Sequence, residues 1–142
     1  MAGIMDDALR NASERGILPM TSAANDLAGR HILVIEDESM VMMLLQDMLE
    51  DIGCVVVDSA SRLEEAIGKA KSLTFDVAIL DVNLNGERTF PIAEVLAERG
   101  VPFVFATGYG VTNLPAGLSG RPVLQKPFQQ QELERVLRTA LA

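Results

Sequence analysis

The chain has 142 residues, the length of one ordinary domain, with room for a real core and too little for two. With 49 % hydrophobic and 23 % charged residues it has a globular composition, and no stretch reaches the ~20 apolar residues of a membrane span. Twenty acidic against twelve basic residues leave a formal net charge of −8, which argues against unaided nucleic-acid binding and suits a basic protein partner or a metal-centred acidic site.

In the first segment Met1, Ile4, Met5, Ala8, Leu9 and Ala12 fall on one helical face, and polar residues fill the other. Asp6 and Asp7 stand where a signal peptide needs a basic start, so the chain reads as soluble and cytoplasmic. Gly16 and Pro19 end the helix, and the small, polar stretch Thr21–Gly29 reads as a linker. Residues 1–29 are therefore an amphipathic helix and linker, and residues 30–142 the domain. The extension is either loosely attached or docks on the domain or a partner.

From Arg30 onward strands and helices alternate. His31–Ile35 is a continuous apolar run, as in a strand covered on both faces. Val41, Leu44, Leu45, Met48, Leu49 and Ile52 then recur at helical spacing until Gly53. Cys54–Asp58 is a second strand, in which Cys54 is expected to be buried; a lone cysteine and the lone His31 exclude an internal disulfide and a zinc site of such ligands. Leu63, Ala66, Ile67 and Ala70 mark a second helix, capped by Ser59 or Ser61, with Glu64 and Glu65 in its first turn.

Asp76–Leu80 is a third strand ending at Asp81, and Val82–Gly86 has turn chemistry. A helix from about Thr89 to Arg99 places Pro91 in its first turn, where proline is tolerated. Val101–Ala106 is the fourth strand, ending at Thr107. Four glycines and Pro115 between Gly108 and Gly120 leave any helix there short or absent. Pro122–Gln125 is a fifth strand before Lys126-Pro127, and Leu133, Val136, Leu137, Ala140 and Leu141 form the closing helix. This alternation implies an α/β fold, a doubly wound parallel sheet with helices on both faces.

Ligands of such sheets bind beyond the carboxyl ends of the strands. There the chain carries Glu36-Asp37, Asp81, Thr107 and Lys126. An acidic pair after a strand also serves as a helix N-cap, and a single Asp in a loop is ordinarily a turn residue. It is the joint placement that points to chemistry. Three converging carboxylates repel one another unless a cation intervenes, and an all-oxygen set suits Mg²⁺ better than zinc. With the Lys126 ammonium and the Thr107 hydroxyl, the group describes a place for a phosphoryl group beside a carboxylate.

Val34-Ile35-Glu36-Asp37-Glu38, Ile79-Leu80-Asp81-Val82, Phe105-Ala106-Thr107-Gly108 and Gln125-Lys126-Pro127-Phe128 resemble the signature segments of response-regulator receiver domains. The resemblance runs from Arg30 to the C-terminus. It implies a five-stranded sheet of order 2-1-3-4-5. It also implies that Asp81 is the phosphoacceptor for a sensor histidine kinase, and that Thr107 and Lys126 contact the transferred group. Mg²⁺ would be held by Asp37 and Asp81 directly, by Glu36 through water and by the backbone carbonyl of Asn83. A cis bond before Pro127 belongs to the same pattern.

Two positions depart from it. Val123 stands where an aromatic switch residue is usual, and Asn85 where proline is frequent. Phe103 to Gly110 resembles instead a stand-alone receiver sub-family with a Phe-Ala-Thr-Gly-Tyr segment, weak or irregular in its fourth helix. Phosphorylation would then order Gly108–Gly120 through Thr107, with Tyr109 partly replacing the missing aromatic. The resemblance makes the chain a signalling module and not an enzyme, acting on a downstream protein or as a phosphate sink, with no nucleic acid and no membrane as partner and a homodimer possible through its last elements or its N-terminal helix. A degenerate receiver that only binds proteins is the competing reading. A flavodoxin-like protein is disfavoured because Glu36-Asp37-Glu38 would repel a phosphate where its binding loop belongs.

Overall fold

The computed structural model describes residues 26–108 and 117–142. The expected N-terminal helix, Tyr109 and most of the glycine-rich stretch lie outside them. In chain order the elements are β1 (His31–Ile35), α1 (Ser39–Ile52), β2 (Val55–Ala60), α2 (Leu63–Ser72), β3 (Val77–Asp81), β4 (Asn83–Leu84), β5 (Glu87–Arg88), α3 (Phe90–Arg99), β6 (Phe103–Thr107), β7 (Val123–Gln125) and α4 (Gln130–Leu141).

Five parallel strands form one sheet in the order β2-β1-β3-β6-β7. Counting only these strands, the order is the anticipated 2-1-3-4-5. Each central strand is apolar at nearly every position because alternate side chains serve opposite faces. Ile32, Val34, Val77, Ile79, Val104 and Ala106 pack with Leu45 and Leu49 of α1 and Leu133, Val136 and Leu137 of α4. Leu33, Ile35, Ala78, Leu80, Phe103 and Phe105 pack with Ala66 and Ala70 of α2 and Ile92, Ala93 and Leu96 of α3. The strand order reverses between β1 and β3, which opens the crevice at their carboxyl ends.

Helix ends follow local chemistry. At the end of α1, Gly53 adopts φ +99°, and its N–H reaches the carbonyls of Leu49 and Glu50. Pro91 lies in the first turn of α3, as expected. Gln129 and Glu132 form a reciprocal capping box on α4. The Lys126–Pro127 peptide bond is cis.

Several sequence expectations are corrected. β2 starts at Val55 and continues past Asp58 to Ala60, and a bulge at Val57 shifts its register: Ile32 pairs with Val56 and Leu33 with Asp58. Ser59 and Ser61 therefore do not cap α2; its N-cap is Arg62, without a side-chain bond. Leu27, within the stretch read as linker, is 1 % exposed, and its carbonyl accepts from the buried Cys54 thiol. The turn chemistry expected after β3 is flanked by two short strands that make it a small hairpin, β4–β5.

Candidate functional site

The strand ends bring Asp37, Asp81, Thr107 and Lys126 to one cleft of ≈ 460 Å³, which Glu38, Asn83 and Gly108 also line, and Glu36 adjoins it through its ion pair with Lys126. Glu36 and Asp37 leave β1, Asp81 ends β3 and Thr107 ends β6, while Lys126 follows β7 directly. Glu36, Asp81 and Thr107 are buried. Glu36, Asp37 and Asp81 each offer a carboxylate oxygen within 4.8 Å of the others.

Lys126 lies among them. Its Nζ donates to Glu36 Oε1 at 2.9 Å and to Asp81 Oδ2 at 3.2 Å. Backbone donors take other oxygens: Glu38 N–H donates to Glu36 Oε2 at 3.1 Å and Asn83 N–H to Asp81 Oδ1 at 3.2 Å. Asn85 N–H donates to Asp37 Oδ2 at 2.9 Å.

One ammonium faces three carboxylates, and the electrostatics register the shortfall. Burial raises the Glu36 carboxyl to about 7; Asp81 adds to the rise, against the opposing hydrogen bond from Lys126. For Lys126 burial favours the neutral form, yet Glu36 and Asp81 outweigh it and hold the ammonium above its ordinary value. An all-oxygen set short of positive charge fits a hard divalent cation.

All the residues expected at the site converge there. Asn83 lines the cleft, and its side-chain oxygen closes the turn, accepting from Gly86 N–H at 2.8 Å. Two further contributors were not legible as site residues in the sequence. Thr89, fully buried, donates its hydroxyl to the Asp81 carbonyl and its N–H to the Val82 carbonyl, fixing the backbone after β3. Asn85 bridges two loops. Its neighbour Gly86 completes the Asn-Gly pair that marks a tight hairpin, the signal that could have exposed it.

The family described as the response regulator receiver domain matches residues 32–138. The chain belongs to this family. It is similar in structure to SdrG from Sphingomonas melonis Fr1, at 39 % identity and a TM-score of 0.71, over 80 % of this chain and 98 % of that one. The receiver domain of the sensor histidine kinase PA1611 from Pseudomonas aeruginosa, solved with magnesium in its active-site cleft, shares the fold at 24 % identity and a TM-score of 0.69, over 80 % of this chain and 98 % of that one. The two-component response regulator PhoP of Pseudomonas aeruginosa is 32 % identical over 117 residues, which are 78 % of this chain and 51 % of PhoP. The chain spans about half the length of the curated relatives it matches. It is thus a receiver domain homologous to response regulators of two-component systems. Among the described residues no helix is long and apolar enough to cross a membrane.

Proposed function

We propose that this receiver accepts a phosphoryl group on Asp81 from a phosphohistidine of a sensor histidine kinase. The observation that carries the reading is the position of Asp81 at the end of β3, with Lys126 Nζ at 3.2 Å and two further carboxylates beside it. A carboxylate oxygen of Asp81 attacks phosphorus, the P–N bond breaks as the O–P bond forms, and the kinase imidazole leaves. Lys126 exchanges its carboxylate partner for the arriving phosphoryl oxygens, and the Thr107 hydroxyl donates to another. Asp37, Asp81 and the Asn83 carbonyl would hold Mg²⁺, with Glu36 behind a water. Mg²⁺ would neutralise the charge that develops on the equatorial oxygens. The domain's work is its own phosphorylation and dephosphorylation, not turnover of a separate substrate.

A surface for the donor adjoins the cleft. Met40, Met43 and Leu44 of α1 are 81 %, 62 % and 46 % exposed. Beside them Val41, Leu44, Pro127 and Phe128 line an apolar groove of ≈ 320 Å³. Apolar side chains at this edge suit an amphipathic helix presenting the phosphohistidine.

Val123, half-buried and in register with Phe105, supports assignment to the sub-family without an aromatic switch. In this reading the receiver begins near Arg30 after an N-terminal extension, and the phosphorylated form acts on a downstream protein or drains phosphate from its kinase. A homodimer through the N-terminal segment belongs to the same reading.

Intact-mass measurement after incubation with Mg²⁺ and a small acyl phosphate tests the chemistry. The expected result is a single phosphoryl adduct, absent with a chelator and absent from Asp81→Ala. Lack of an adduct, both from this donor and from phosphorylated histidine kinases, would favour a degenerate receiver that serves only as a binding module.

A further inference from the structure

We propose that Asn85 is a positioning residue for the cation side of the cleft. It fixes one oxygen of Asp37 through its N–H, leaves the other for the metal, and anchors the turn that carries it to Ser61. The inference rests on the reading that Asp37 helps hold Mg²⁺.

The Asp37 carboxylate does not serve its own helix. The N-cap of α1 is Glu38, with no side-chain capping bond, and Asp37 is therefore available to reach across the crevice. Its Oδ2 accepts the N–H of Asn85, forty-eight positions along the chain, at 2.9 Å. The Asn85 side-chain amide donates to the Ser61 carbonyl at 3.0 Å. One residue thus ties together the loops that follow β1, β2 and β3.

The turn holding Asn85 is rigid for reasons local to it. Asn85 and Gly86 both have positive φ, +52° and +88°, the pair of left-handed positions that a two-residue hairpin requires. Asparagine adopts that region at lower cost than most residues. The ladder pairs Asn83 with Arg88 and Leu84 with Glu87, Leu84 is fully buried, and Asn83 Oδ1 holds Gly86 N–H. An N–H on such a turn cannot follow a moving carboxylate; it selects one rotamer of Asp37. A proline, frequent at this place in the resembling sequences, has no N–H to donate and a φ fixed near −65°. The contact is a property of this chain's own residue.

Partners that orient a metal ligand commonly change metal affinity by ~10–100-fold when removed. The test is calorimetric Mg²⁺ titration of the full chain after metal removal, with thermal unfolding in a chelator recorded for every variant. N85P removes the N–H, and its Mg²⁺ affinity is expected to fall about tenfold or more. N85G keeps the N–H and the positive φ but cuts the tether to Ser61, and a loss of about threefold is expected. A purely structural turn residue would lower the unfolding temperature in chelator and leave the Mg²⁺ dissociation constant where it was. If N85P binds Mg²⁺ within about 1.5-fold of the parent, the proposal is overturned; should N85P fail to fold, replacement of the Asn85 amide by an ester, which removes only the N–H, decides on the same criterion. A parent that binds no Mg²⁺ overturns the underlying reading as well, and the first titration shows it before any variant is made.

Discussion

Replacing Lys126 with methionine should destabilise the metal-free protein by about 3 kcal/mol near pH 8, because it strands two buried carboxylates without their ammonium. The side chains of Glu36 and Asp81 are 1 % and 10 % exposed, so water screens neither. The pH dependence has a definite sign. Burial has already raised Glu36 from 4.5 to about 7 in the parent. Between those values the folded chain holds a proton that the unfolded chain has released. Stability of the metal-free parent therefore falls as pH rises through this window, by roughly 3 kcal/mol, and levels off above it. Without Lys126 the Glu36 proton is held to still higher pH, so the penalty of K126M shrinks in acid. Held at the proposed site, Mg²⁺ would supply the missing charge, flatten the pH slope in the parent and recover part of the loss in the variant. Denaturant unfolding with chelator or Mg²⁺ at several pH values reads all of this. A K126M penalty that does not depend on pH would contradict the electrostatic account.

Phe105→Ala is expected to cost ~3–5 kcal/mol. Phe105 is fully buried in β6, with the Phe103 and Phe90 rings packed edge-on at centroid distances of 5.4 and 6.2 Å. Removing it opens a cavity between β6 and α3 that those rings are too constrained to fill. Its consequence extends to the cleft, because Phe105 stands two residues before Thr107 on a strand held on both sides by β3 and β7. Equilibrium unfolding measures the loss; a change under about 1 kcal/mol would mean that this face of the sheet is loosely packed.

The parts of the fold that could be read from sequence were those where burial dictates residue type. β1, β3 and β6 are apolar on both faces, and such runs are hard to mistake. The end of α1 was legible in Gly53, and the placement of α3 in Pro91. The site was legible because parallel strands deliver their last polar residues to one edge. Elsewhere tertiary contacts overrode local pattern. Ser59 reads as a residue beyond the strand, yet pairing with β1 keeps it in β2 beside Asp58, and the Lys69 ammonium meets Asp58 at 3.1 Å and the Ser59 carbonyl at 2.7 Å. The helical stripe on α1 gave Leu44 the same weight as Leu45 and Leu49, whereas only the latter two reach the core. The two-residue strands β4 and β5 are too short for alternation to show, so the turn chemistry at Val82–Gly86 gave no sign of the strands that flank it. The link from Asn85 to Asp37 joins residues whose separation no local pattern spans.

Trapping the acyl phosphate with borohydride tests the central claim most directly, since reduction converts a phosphorylated aspartate to homoserine at its place in the chain. After phosphorylation in Mg²⁺ and reduction, peptide mass mapping should find homoserine at position 81 and leave Glu36 and Asp37 unchanged. Homoserine at another aspartate, or phosphate retained on His31 with Asp81 intact, would contradict the account.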